Sequence, residues 1–295
     1  MLISTQTAVF SQKFGDHDAI KLLAETGYDA LDYSMFDLPS PKSPLWGEDY
    51  QNYAKSLKKT ADEYNIAFNQ SHAPFPSYIQ NPDQNQQEYN ETIVFEIIKS
   101  LEITSILGAD ITVVHPITLQ GKNYFEQKEF NMNFFGALLP YCKKFNVKIA
   151  LENMWGWDAA EKKVLPGACS TAAEFTDYLD SLGDDCFTAC LDIGHAEMQG
   201  TLSVSAPEMI RALGSGRLTS LHIHDNDKTG DLHDLPFNQK LNWDEIMRAL
   251  KDIGYNGEFT FEADNFISKF PQELYLSASR LMFETGRYFT EKYCL

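Results

Sequence analysis

Short runs of β-forming residues alternate with longer amphipathic stretches along the whole chain, and this alternation restricts the fold more than any other feature. The strand candidates are Leu2–Ser4, Ala30–Ser34, Ile66–His72, Ile111–His115, Val147–Glu152, Thr188–Asp192, Leu218–His224 and Glu258–Glu262. Helical periodicity fills the gaps over Asp16–Thr26, Tyr50–Tyr64, Gln84–Leu107, Tyr124–Phe145, Thr171–Leu182, Ala206–Leu213, Asn242–Ile253 and Pro271–Lys292. Gly108 stands just past Leu107, where a glycine closes a helix without strain. Eight strand-then-helix units in 295 residues predict a closed parallel barrel rather than an open doubly wound sheet. No GxGxxG follows the first strand, which argues against a dinucleotide-binding sheet. The expected fold is one α/β domain over residues 1–295.

Charge and cysteine usage exclude several function classes. With 24 basic and 42 acidic residues the net charge is −18, so nucleic acid and anionic membranes are poor partners. The five cysteines (Cys142, Cys169, Cys186, Cys190 and Cys294) are scattered, with no CxxC pair, so neither a disulfide framework nor a thiolate zinc site is indicated. Buried free thiols in a reducing compartment are expected. The first residues, MLISTQTAVFSQKF, lack a basic end followed by a long apolar core, and there is no apolar run of about 18 residues. A cytoplasmic, unprocessed protein is expected.

A parallel barrel makes a further demand: reactive residues belong at the C-terminal ends of its strands, where eight loops converge. The third candidate strand closes in SHAPF with His72, the fourth in VVHP with His115, and the fifth in ALENMWGWD with Glu152. CLDIGH places Asp192 and His195 after the sixth, HIHDND places His222 and His224 at the seventh, and FTFEAD places Glu262 at the eighth. Side chains alternate across a strand, so Ser220, His222 and His224 share one face, and Leu221 and Ile223 the other. Two inward imidazoles beside three inward carboxylates would be costly to bury unpaired. A divalent cation removes that cost, since carboxylate oxygens and neutral imidazole nitrogens are its natural ligands.

These residues resemble those of the xylose-isomerase-like TIM barrels, a family of sugar-phosphate isomerases and epimerases that also includes endonuclease IV. The matching motifs are LEN at 151–153, CLDIGH at 190–195, HIHDND with the following DLH, and FE at 261–262. The resemblance implies one divalent metal (manganese, zinc, cobalt or magnesium) held by Glu152, Asp192, His222 and Glu262. The family's HxxD/E spacing favours His222 over His224 as the ligand. It further implies that His195 and Asp158 contact substrate, with His72 and Trp155 also at the substrate. Lys228 stands where the family carries a substrate-binding arginine, a departure from its pattern.

The implied chemistry is proton abstraction α to a sugar carbonyl through a metal-stabilised enediolate. Glu152 and Glu262 would remove and return the proton, from opposite faces in epimerisation or from one face in aldose–ketose isomerisation. Trp155, Trp157 and Phe75 are candidate apolar walls for a carbohydrate substrate. Lys122, Lys162, Lys163 and Lys228 are the nearest loop cations for a phosphate. Relatives that form dimers or tetramers make a homo-oligomer compatible with this reading. The competing implication is a multi-zinc phosphoester hydrolase of the endonuclease IV type. His72, His115, Glu152, Asp192, His195, His222, Asp231, His233 and Glu262 supply a counterpart for each of that enzyme's nine ligands. Against it stand the net charge and the flanks, ENMWGWD and HIHDND where endonuclease IV resembles ENTAGQG and HLNDSK.

Overall fold

The computed structural model describes residues 1–198 and 205–295. Ten strands occur among them: β1 (Ile3–Gln6), β2 (Ala30–Ser34), β3 (Ala67–His72), β4 (Ile111–Val114), β5 (Lys148–Glu152), β6 (Trp155–Asp158), β7 (Lys163–Pro166), β8 (Phe187–Asp192), β9 (Leu218–His222) and β10 (Phe259–Phe261). Eight form one parallel sheet in the order β10-β1-β2-β3-β4-β5-β8-β9. Ile223, just past β9, donates its N–H to the Thr260 carbonyl (2.9 Å) and accepts from the Glu262 N–H (3.1 Å). Those two bonds join the first and last strands of the order, and the fold is a single-domain (β/α)8 TIM barrel.

Local sequence fixes the helix boundaries. Asp83 caps the Gln84–Leu107 helix by accepting from the Gln86 N–H at 3.0 Å, and Gly108 ends it with φ 84°. Asn123 and Glu126 form a reciprocal capping box at the start of Tyr124–Phe145. Thr171, Ser205 and Asn242 cap three later helices by accepting from the N–H of Glu174, Glu208 and Glu245. Leu221, Ile223, Ile149, Leu151 and Leu191 belong to the large apolar layer between barrel and helices. Inside the barrel, Val113, Ala150 and Cys190 form a small separate apolar plug. Two residues further along the same strands stand Glu152 and Asp192, with His222 one pleat beyond Ser220. The plug therefore floors a polar layer at the C-terminal end of the barrel.

Four departures from the sequence expectations concern non-local structure. The first strand runs to Gln6 rather than Ser4, paired with β2 up to Gln6 and Asp32. A helix over Ala8–Phe14 follows it, anchored by buried Ala8 and Phe10. The loop after β5 contains an antiparallel hairpin, β6–β7, whose register Trp155↔Pro166 to Asp158↔Lys163 depends on pairing across a turn. The last expected helix begins as a 3-10 turn over Gln272–Leu274 and becomes α-helical only at Tyr275. Of the cysteines, Cys142, Cys169 and Cys190 are buried, whereas Cys186 is half-buried and Cys294 exposed. Among the described residues no helix is long and apolar enough to cross a membrane.

Candidate active site

The polar layer collects side chains from all eight barrel strands or their ends. Glu152 is buried and meets four imidazoles: His72 Nε2 at 3.3 Å, His115 Nε2 at 3.1 Å, His222 Nδ1 at 3.3 Å and His195 Nδ1 at 3.6 Å. His222 Nδ1 also lies 3.0 Å from Glu262 Oε2. Ligand atoms of Glu152, Asp192, His222 and Glu262 all lie within 4.8 Å of one another. His72, His115 and Glu152 form a second such group, His72, His222 and Glu262 a third, and His195, His224, Asp231 and His233 a fourth. The HIHD segment thus divides its imidazoles. His222 faces the three carboxylates, while His224 Nε2 bonds Asp192 at 3.0 and 3.1 Å and its ring stacks on His233 at 4.3 Å.

Backbone carbonyls select the histidine tautomers. A carbonyl can only accept, so His72 Nδ1 donates to Ala73 O (2.8 Å), His195 Nδ1 to Asn153 O (2.9 Å) and His233 Nδ1 to Glu262 O (2.7 Å). In the neutral rings each Nε2 then presents a lone pair: toward Glu152 for His72, and toward Asp231 for His195 (3.3 Å) and His233 (3.1 Å). His222 is oriented the other way. Its Nε2 faces both the fully buried carboxylate of Asp32 and the Gln70 amide at 3.3 Å; with the proton on Nε2 for Asp32, Nδ1 turns its lone pair toward Glu152 and Glu262. Lone pairs and carboxylates pointing at common centres repel unless a cation lies between them. Among the described residues no lysine or arginine pairs with Glu152, Asp192, Asp231 or Glu262. His224 Nδ1, Asp231 Oδ1 and Asp32 Oδ1 are buried without a hydrogen-bond partner. The donor set therefore fits a divalent metal, with backbone carbonyls behind His72, His195 and His233 and the Asp32 carboxylate behind His222, the arrangement that orients such ligands.

Electrostatics expresses the same demand through protons. Burial alone would raise the Glu152 carboxyl, but His222 and His115 beside it hold it well below the usual carboxylate range. Burial opposes protonation of His195, yet Asp192 and Asp231 lift it to about 10. Against the pull of burial, Cys190, Glu262 and Glu152 push His222 well above the ordinary imidazole value, and Asp231 does the same for His233. His115 moves the other way, because burial outweighs Glu152 there. Burial and the charge of Glu262 raise Asp264 to about 7.

Buried amide bonds hold the loops in register. Asn153 of LEN donates to Asp192 O (3.0 Å) and accepts from Asp192 N (2.8 Å), tying β5 to β8. Asn226 donates to Gly194 O at 2.8 Å, tying the HDND segment to DIGH. Asp225 faces away from the centre and accepts from the N–H groups of Phe237, Gln239 and Leu241 and from Trp243 Nε1, so it is the scaffold of its own loop. Of the remaining candidates, Asp158 accepts from Ala160 N and Glu161 N in the hairpin turn. Lys228 pairs with Glu197 at 3.0 Å. Trp155 stands 6.4 Å from the His195 ring, and Phe75 stacks on His115 at 4.7 Å. Sequence reasoning missed Gln6, Asp32 and Gln70. Gln6 donates to Glu262 at 2.6 Å, and Gln70 donates to Asp32 at 3.0 Å. Their signal was polar residues at inward positions of the first three strands.

The family model described as "Xylose isomerase-like TIM barrel" matches residues 20–284. The chain belongs to this family. An uncharacterized protein of Methanocaldococcus jannaschii is 27% identical over 214 residues, spanning 72% of this chain and 69% of that one. An uncharacterized protein of Sinorhizobium fredii is 28% identical over 200 residues, spanning 63% and 59%. Among solved structures, a D-tagatose 3-epimerase-like protein superposes with TM-score 0.74 at 20% identity, covering 99% of both chains. The 3-keto-D-glucoside 4-epimerase YcjR of E. coli gives 0.72 at 14% identity, covering 96% of this chain and 99% of its own. At such identities these likenesses concern the barrel. This member of the xylose isomerase-like family keeps its carboxylates and imidazoles at the strand ends that the barrel makes available.

Proposed function

We propose that this chain is a metal-dependent sugar epimerase or isomerase, in which Glu152 and Glu262 move a proton on the carbon next to a substrate carbonyl. The observation that carries the reading is the convergence of Glu152, Asp192, His222 and Glu262 on one buried locus at the barrel mouth. Support comes from the structural neighbours, which include a D-tagatose 3-epimerase-like protein and an L-ribulose 3-epimerase. Glu152, Asp192, His222 through Nδ1, and Glu262 would hold the metal, which when bound supplies Lewis-acid polarisation of the carbonyl. The two glutamates reach the locus from β5 and from the end of β10, so they approach a substrate from different walls. Gln6 fixes one Glu262 oxygen and leaves the other toward His222. Phe36 and Phe75 stand over His72, with ring centroids 4.9 and 5.6 Å away, and help exclude water.

The test is a panel of ketoses, aldoses and inososes in deuterated water with added Mn or Co. Solvent deuterium should enter at least one sugar, and Glu152→Ala should abolish that exchange. Retained exchange would remove Glu152 from the chemistry.

A second reading has its own observation. The His72–His115–Glu152 group and the His195–His224–Asp231–His233 group flank the first, as a multi-zinc phosphoester hydrolase would require. Three zinc ions per chain and cleavage of an abasic-site oligonucleotide would favour it. The net charge of −18 weighs against a polyanionic substrate.

A further inference from the structure

A cavity of about 970 Å³ lies beside the metal-binding locus, between the 118–122 loop and the β6–β7 hairpin. Trp155 belongs to both sites: it lines this cavity and its ring approaches His195 to 6.4 Å. The hairpin wall is built in rather than draped over. Met154 N bonds Ala168 O at 2.9 Å, Ala168 N bonds Thr118 Oγ1 at 2.9 Å, and a side chain at Gly167 would meet the Met154 carbonyl carbon at 2.5 Å. Trp157 contributes a half-exposed indole to the wall, and Tyr124 a 38% exposed ring. Aromatic faces left open in a concave site are what the C–H face of a sugar ring stacks against.

The volume and the charge both bear on the ligand. Pockets for drug-sized molecules run to roughly 1,000 Å³, so one six-carbon sugar would leave most of this space empty. Lys122, the cation at the rim, is already paired with Glu126 at 3.0 Å. The carboxyls of Asp158 and Glu174 also line the space, and burial raises Glu174 to about 7. Such a lining offers hydrogen bonds to hydroxyls and repels a phosphate.

We infer that the substrate is a neutral glycoside whose carbonyl-bearing unit sits at the Glu152–Glu262 locus and whose second ring lies between Trp155 and Trp157. This deepens the epimerase reading and rests on it for the position of the carbonyl. It separates glycosides from the sugar phosphates that the family resemblance also allows.

The experiment compares D-fructose, D-fructose 6-phosphate and three glucosyl-fructoses (isomaltulose, turanose and leucrose) on the Mn-loaded protein. Affinity is read by titration calorimetry and deuterium incorporation by NMR. At least one disaccharide should bind about tenfold tighter than D-fructose, the order of effect expected from one stacked ring. The phosphate should bind no better than D-fructose. Trp157→Ala should bring the disaccharide-to-fructose affinity ratio close to one, with circular dichroism verifying the fold. The inference is overturned if no disaccharide is preferred, if the phosphate is preferred, or if the ratio survives Trp157→Ala. A calorimetric preference without deuterium exchange in any sugar would uphold the second-ring site and refute the epimerase reading. Exchange without preference would do the reverse.

Discussion

Gly194 lies in the DIGH turn directly beneath the His224 ring, and substituting alanine there tests whether that ring is locked. A Cβ at this position would lie 1.9 Å from His224 Cε1, 2.4 Å from Nε2 and 2.5 Å from Nδ1. The ring has nowhere cheap to go. Asp192 holds its Nε2 at 3.0 and 3.1 Å, and His233 stacks parallel to it at 4.3 Å. Relief must come from breaking the Asp192 bonds, displacing His233, or moving the turn away from Asn226, which bonds Gly194 O. Overpacking of this kind costs about 1–3 kcal/mol. For a chain of 295 residues each kcal/mol corresponds to about 1.6 °C in Tm, so Gly194→Ala should lower Tm by roughly 2–5 °C. Because the displaced ring bonds Asp192, one of the residues that would hold the metal, the variant should also bind that metal more weakly. Scanning calorimetry and elemental analysis of the same samples measure both. An unchanged Tm with unchanged metal content would show that the ring is free to move, and would refute the locked geometry.

Two further perturbations address the support of the site. Asp32→Asn keeps the shape but offers His222 Nε2 an amide in place of a carboxylate, which no longer fixes the tautomer. Affinity for Mn or Zn should fall about 10- to 100-fold in a direct titration, and an unchanged affinity would mean that Asp32 does not orient His222. For Glu174, burial raises the folded-state carboxyl from 4.5 to about 7. The folded protein therefore binds a proton that the unfolded chain releases near pH 4.5, and this contribution to stability is lost as pH rises from there through about 7. Glu174→Gln should flatten that part of the Tm-versus-pH curve; a parallel curve would sink the assignment.

The barrel could be read from the chain because its determinants are local. Alternating strand and helix patterns and Gly108 after Leu107 are properties of neighbours in sequence, and the helices over Asp16–Thr26, Gln84–Leu107 and Tyr124–Phe145 fall on their expected residues. The strand-end carboxylates and imidazoles were legible for the same reason: parallel strands in a barrel send their C-terminal ends to one place. What residue order alone could not supply was which groups share a centre. His222 and His224 are two residues apart and carry the same pleat parity, yet one turns to Glu152 and Glu262 and the other to Asp192 and His233. That choice depends on where β9 ends and on the DIGH turn beneath it. Gln6, Asp32 and Gln70 entered the site only because the sheet closes and brings the first three strands round to face the last. The cavity beside Trp155 likewise depends on a hairpin whose two strands pair across a turn. Sequence determined the scaffold and the chemical inventory, and three-dimensional closure decided the partners, because electrostatic and hydrogen-bond contacts depend on distance through space rather than separation along the chain.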